Sequence, residues 1–283
     1  MNSKTAGMRN LDEATVAGFG QEWSEYDQVE LGTQDLQSIF DSYFAVFPFE
    51  DLPPDAEGFD LGCGSGRWAD LVLAKVGRLH CIDPSELALS VARRRLAGRK
   101  GAVFHHASVD DMALDDDSQD FGYSLGVLHH VPDTAAAMAA CVRKLKPGAP
   151  FLVYLYHSFD NRPFWYRPLW VATDVARKGI SRMPFVLRKS VTSMIAALVY
   201  WPLARTAKLA ERMGRNVVDY PLSIYRDRDF YVMRTDALDR FGTRLEHRFS
   251  RAEIEQMMSA AGLQQIRFSE NPPFWVACGR RSR

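Results

Sequence analysis

Three glycines at every second position, Gly62, Gly64 and Gly66 in Asp60-Leu61-Gly62-Cys63-Gly64-Ser65-Gly66-Arg67, constrain this chain more than any other feature. Phe59 to Leu61 read as the end of a short strand, and Trp68-Ala69-Asp70-Leu71-Val72-Leu73 opens a helix. The backbone therefore turns from strand to helix with no Cβ at three points, which lets something lie close against it. A dinucleotide fingerprint places its third glycine one residue later, where Arg67 stands, so the spacing argues against a nicotinamide or flavin nucleotide. By itself such a turn also suits any α/β protein with a tight strand-to-helix connection. Leu79-His80-Cys81-Ile82-Asp83 adds a second short strand ending in an acid, at the distance where a ribose-binding carboxylate follows one β-α-β unit.

With Asp60 ahead of the glycines, this stretch resembles the first motif of the class I S-adenosylmethionine-dependent methyltransferases, and within them the methyltransferase-11 and ubiquinone-biosynthesis-like group. The resemblance runs from about 58 to 157. Phe121 to Leu128, ending at His129-His130-Val131-Pro132-Asp133, is similar to the family's fourth motif, and Phe151 to His157 reads as the fifth strand. It implies a Rossmann-like, seven-stranded, mostly parallel α/β sheet with helices on both faces, right-handed crossovers and a ligand crevice at the carboxyl ends of the strands. Residues 56–157 and 250–283 are expected to form that domain. Its last part starts at the capping box Ser250-Arg251-Ala252-Glu253, whose helix Gly262 stops, and closes with strands over 263–269 and 274–279.

Two segments fall outside this pattern. Residues 1–55 place aromatics at helical spacing around Phe19 to Asp27 and Leu36 to Phe44, which predicts two helices; in similar methyltransferases such a segment closes over the cofactor, here with Trp23 and Tyr26. Simple packing of Trp23 against the domain is the other reading. Residues 158–249 are too long for a loop and are expected to form a helical cap that builds the substrate pocket. Their run from Val191 to Trp201 is too short to span a bilayer and is read as closed by Pro202. A packed insert, a homodimer contact, or a helix lying on a membrane surface and anchored by Arg188, Lys189, Arg205 and Lys208 are alternatives, the membrane contact being the weakest of them.

The resemblance implies S-adenosylmethionine as cofactor and S-adenosylhomocysteine as product. Asp60, Gly62, Cys63, Gly64, Gly66, Asp83, Pro84, Leu125 and Gly126 are the expected cofactor residues, with Ser108, Val109 and Asp110 at the adenine edge. Backbone N–H groups after Gly66 are expected to meet the methionine carboxylate. Cys63 reads as a small filler rather than a nucleophile. Methyl transfer is an in-line displacement whose main demand is alignment of the acceptor; a base helps if that acceptor is a hydroxyl. His129, His130 and His157 are the catalytic candidates, with Glu246 and His247 behind them, and one of His129 and His130 is expected to face the cavity. Tyr156, Trp165, Tyr225, Arg228, Tyr231 and Arg234 are the expected substrate residues.

Composition narrows the partners. With 35 basic and 35 acidic residues the chain has no overall field to draw in nucleic acid, so the expected partner is a small-molecule acceptor, methylated on oxygen in preference to nitrogen or carbon. No metal site is expected: His105-His106 lacks a carboxylate at ligand spacing. Four isolated cysteines with no C-x-x-C pair, and an N-terminus without an apolar export segment, suit a reducing cytoplasm. Another reaction on the same cofactor, or a non-catalytic binding subunit, are the competing readings.

Overall fold

The computed structural model describes residues 10–25, 33–159 and 162–283. Strands β1 (Glu57–Leu61), β2 (Arg78–Asp83), β3 (Ala102–His106), β4 (Phe121–Leu125), β5 (Pro150–Tyr154), β6 (Leu263–Phe268) and β7 (Val276–Arg281) form one sheet in the order β3-β2-β1-β4-β5-β7-β6. The first five are parallel, and β7 runs antiparallel to both β5 and β6. Helices α1 (Glu13–Glu25) and α2 (Thr33–Tyr43) precede the sheet, and α3 (Arg67–Val72), α4 (Glu86–Arg95) and α5 (Thr134–Lys144) connect its strands. After β5 come α6 (Tyr166–Ile180), α7 (Phe185–Ile195), α8 (Trp201–Arg212) and α9 (Phe230–Gly242), then α10 (Arg251–Ala260) before the closing hairpin.

Alternation along the central strands sends side chains into two cores, as a sheet covered on both faces requires. Phe59, Leu61, Phe151, Val153 and Ala277 meet Met138 and Cys141 of α5 and Ile254 and Met258 of α10. Leu79, Cys81, Phe121, Tyr123 and Leu152 face the other way, onto Trp68 and Ala69 of α3, Leu89 of α4 and Phe40 of α2. A third cluster, with Tyr200, Ala204, Met233, Ala237 and Phe241, holds the inserted helices together apart from the sheet.

Three features differ from the sequence expectation. First, β4 stops at Leu125 instead of Leu128, because Gly126 at φ +77° turns the chain out of the sheet; Leu128–His130 is a 3-10 turn. Alternation along a strand therefore does not decide which of His129 and His130 faces the cavity. Second, Pro202 does not end a helix. A π turn over Ala196–Tyr200 links α7 to α8 without a break, and Pro202 follows directly on that turn inside the continuous rod. Third, α1 starts at Glu13 because the Asp12 carboxylate accepts the Thr15 N–H at 2.7 Å. Tyr26 lies outside the described residues.

Candidate active site

Strand order reverses between β1 and β4, so a crevice opens above their carboxyl ends. Asp83, the last residue of β2, stands at its rim, and both of its oxygens are already engaged: one accepts the Gly64 N–H at 2.9 Å, the other the Ser85 N–H at 2.8 Å. A carboxylate oxygen holding one backbone N–H keeps a further lone pair for a hydroxyl donor. Gly62 and Gly64 take φ of +78° and +53°, and a Cβ on Gly62 would lie 2.3 Å from a methyl of Val127. Gly62→Ala should therefore cost about 1–3 kcal/mol in denaturant unfolding, from left-handed strain with the clash added, and Val127→Ala should restore part of it.

The polar groups here fit a cationic nucleoside. Burial pushes the Asp60 carboxyl up to about 8, against the lowering effect of the Tyr123 hydroxyl that donates to it at 3.0 Å. Burial likewise raises Asp83 to about 6, although its two backbone N–H bonds pull the other way. Ser65 Oγ is buried with no hydrogen-bond partner among the described residues. Asp83 and Gly62 are walls of the crevice, whereas the buried Asp60 and Ser65 line neither cavity; an acid at the rim and bare glycine backbone suit a ligand that carries a sulfonium, an ammonium and a carboxylate. Cys63 has its thiol pushed up, first by the Cys81 thiol beside it and then by burial, which fits a filler.

Ser108, Val109 and Asp110 do not line this crevice as it stands. Ser108 N–H and Oγ both donate to Asp111, and Asp110 accepts the Asn10 N–H. Asn10 also exchanges hydrogen bonds with the Asp133 backbone, clasping the start of α1 beside the crevice. Pro84, Leu125 and Gly126 do line it, together with Gly62, Asp83, His130 and, from α1, Phe19 and Trp23; the cavity is about 110 Å³.

Beyond Leu125 and Gly126, with Phe19 and Trp23 as shared walls, a second chamber of about 260 Å³ opens under the inserted helices. Tyr43, Tyr154, Tyr156, Tyr200 and Tyr225 line it with Trp68, and three acids, Glu22, Asp236 and Asp239, point into it. The Tyr156 hydroxyl donates to Asp239. Burial raises Asp236 to about 6, partly offset by the Tyr225 hydroxyl and increased by nearby Asp239. Glu22 is raised well above the ordinary carboxyl value, by burial first and then by Asp239 and Asp236. Of the chamber's guanidinium groups, Arg240 and Arg248 are both held by Glu246, at 3.2 and 2.8 Å, while Arg67 packs over Trp68 with 4.3 Å to the ring centre. Glu246 is thus the counter-ion of two arginines.

The predicted residues divide accordingly. Tyr156, His157 and Tyr225 line the chamber; Trp165, Arg228, Tyr231 and Arg234 are not among its walls. His130 borders the nucleoside crevice, its Nδ1 hydrogen-bonded to the Leu245 carbonyl at 2.7 Å. His129 lines neither cavity; its ring lies 3.9 Å from that of Tyr156, and burial drives its basicity far down. The sequence reading missed Tyr43, Tyr154, Tyr200 and the three acids as wall residues. Among the described residues no cluster of His, Cys, Asp and Glu is arranged to hold a metal ion.

Residues 59–153 match the family model described as a methyltransferase domain, and the chain carries a domain of the class I S-adenosylmethionine-dependent methyltransferases. It is 36% identical over 108 residues to a ubiquinone biosynthesis O-methyltransferase of Aromatoleum aromaticum, covering 37% of this chain and 44% of that one. It is 31% identical over 111 residues to phosphoethanolamine N-methyltransferase 2 of Caenorhabditis elegans, covering 38% and 25%. The chain thus spans less than half the length of these relatives. A solved S-adenosylmethionine-dependent methyltransferase of Thermotoga maritima shares the fold at TM-score 0.52 and 16% identity, covering 95% of this chain and all of that one.

Proposed function

We propose that this protein methylates a small-molecule acceptor held in the aromatic and acidic chamber, using S-adenosylmethionine bound in the adjoining crevice. The observation that carries this reading is the junction at Leu125 and Gly126, which belong to both cavities. An acceptor in the chamber and a nucleoside in the crevice meet there, and alignment supplies most of what the reaction needs. S-adenosylmethionine supplies an activated methyl group on a sulfonium. Asp83 holds the ribose hydroxyls, Asp60 and Ser65 stand buried behind the methionine end, and α1 with Trp23 excludes water from above.

Oxygen is the acceptor atom this reading favours. Asp236, raised to about 6, is mostly ionised at neutral pH yet basic enough to take a hydroxyl proton as the new bond forms. Its Tyr225 partner holds it in place. A nitrogen acceptor is the second reading, since three carboxyls among tyrosine rings also suit an amine that binds as ammonium and passes one proton to a carboxylate before its lone pair attacks the methyl group. Labelled S-adenosylmethionine incubated with the protein and fractionated small-molecule extract tests the proposal. A labelled product is expected, and its fragmentation assigns the atom; no label above background in any fraction would sink it.

The raised carboxyls give a pH signature. Protonated Asp60 must lose its proton to stabilise a cation, so affinity for S-adenosylmethionine should rise between about pH 6 and 8, with proton release seen by calorimetry in two buffers. The uncomplexed protein should lose stability over the same window, because its folded form holds a proton the unfolded chain gives up at lower pH. A flat affinity profile would remove Asp60 from the site.

A further inference from the structure

Helices α7 and α8 form one rod through the π turn, and no described residue covers their outer face. Leu187, Met194, Leu198, Trp201 and Leu209 recur at spacings of seven, four, three and eight residues, one stripe along a helix. They are 51%, 58%, 72%, 47% and 59% exposed. On α6, Val171 and Val175 are likewise exposed. All but Leu87 of the large apolar side chains exposed among the described residues fall between Phe164 and Phe230. So concentrated an apolar surface marks an interaction face rather than chance exposure.

Charge chooses the partner. Residues 166–212 hold nine Lys and Arg; Arg177 and Arg188 are buried, and Lys178, Lys189 and Lys208 pair with Asp174, Glu25 and Asp227, which leaves Arg167, Arg182, Arg205 and Arg212 without a carboxylate partner among the described residues. Arg205 and Arg212 stand on either side of Leu209 at the stripe's end, and Arg182 lies where α6 leads into α7. Two copies meeting through this face would bring like charge to like charge, whereas a bilayer with anionic headgroups meets both the apolar stripe and its basic border. Among the described residues no helix is long and apolar enough to cross a membrane, so the contact is with the surface.

We propose that the outer face of α6, α7 and α8 docks reversibly on an anionic membrane surface. The rod turns Tyr200 into the chamber one residue before it turns Trp201 outward, so docking sets the chamber's roof against the lipid. The inference rests on the surface alone and stands or falls apart from the proposed reaction.

Flotation of the purified full chain with phosphatidylcholine vesicles, with and without a third of phosphatidylglycerol, tests it. The protein should float with the anionic vesicles only, and less as sodium chloride is raised. Leu198→Glu with Trp201→Glu should lower the bound fraction about tenfold or more, and Arg212→Glu about fivefold; circular dichroism checks that each variant is folded. The wild-type lipid and salt comparisons decide the matter even if the double variant fails to fold. Absence of flotation with anionic vesicles, equal flotation with both lipids, or undiminished flotation of a folded double variant overturns the proposal. So does light scattering that finds a dimer which Leu198→Glu with Trp201→Glu splits, since the face then belongs to a second copy.

Discussion

Calorimetry on Asp83→Ala is expected to find S-adenosylhomocysteine bound at least about 100-fold more weakly than by the unaltered protein. Hydrogen bonds from two ribose hydroxyls to an ionised carboxylate are worth roughly 1.5–3 kcal/mol each, which together corresponds to about 10²–10⁴ in Kd. Asp83 also ties Gly64 to the end of β2, so its loss loosens the glycine turn as well as the sugar contact. Circular dichroism and denaturant unfolding separate the two effects: the variant should keep the secondary structure of the unaltered protein and lose a smaller share of stability than of affinity. A folded Asp83→Ala that binds within tenfold of the original would place the nucleoside somewhere else.

Asp236→Asn is the second substitution with a large expected effect. It keeps the size of the side chain and a partner for the Tyr225 hydroxyl while removing a proton acceptor. With the acceptor identified by labelling, kcat should fall by about 10²–10⁴, the usual contribution of a positioned base, while affinity for the cofactor stays unchanged. With S-adenosylmethionine saturating, the unaltered protein should show kcat/KM for the acceptor rising with pH through about 6 and then levelling, as Asp236 ionises. The variant should lack that limb. If rate and profile survive the exchange, Asp236 is a wall residue, and methylation of a nitrogen that is already free to react becomes the better account.

What could be read without coordinates follows from how local each signal is. Glycine spacing, an acid at a strand end and alternating apolar residues are short-range patterns, and the five parallel strands with their closing hairpin were visible in them. The chamber was not. Asp236 and Asp239 sit three residues apart on α9, where ordinary surface ion pairs would look the same. Only the packing of α6 and α7 around α9 turns that face inward, and Tyr43 and Tyr200 come to it from opposite ends of the chain. His129 and His130 divide between two settings. Gly126 bends the backbone so that one ring is sealed against Tyr156 and its neighbour, while the other gives its Nδ1 to the Leu245 carbonyl and borders the crevice.

Phe19 and Trp23 project from a single helix into the ceilings of both compartments. One shutter therefore serves two rooms. On the proposed reading, any excursion of α1 wide enough to release a spent nucleoside would also unroof the acceptor's chamber, making exchange of the two molecules a shared event instead of two independent ones.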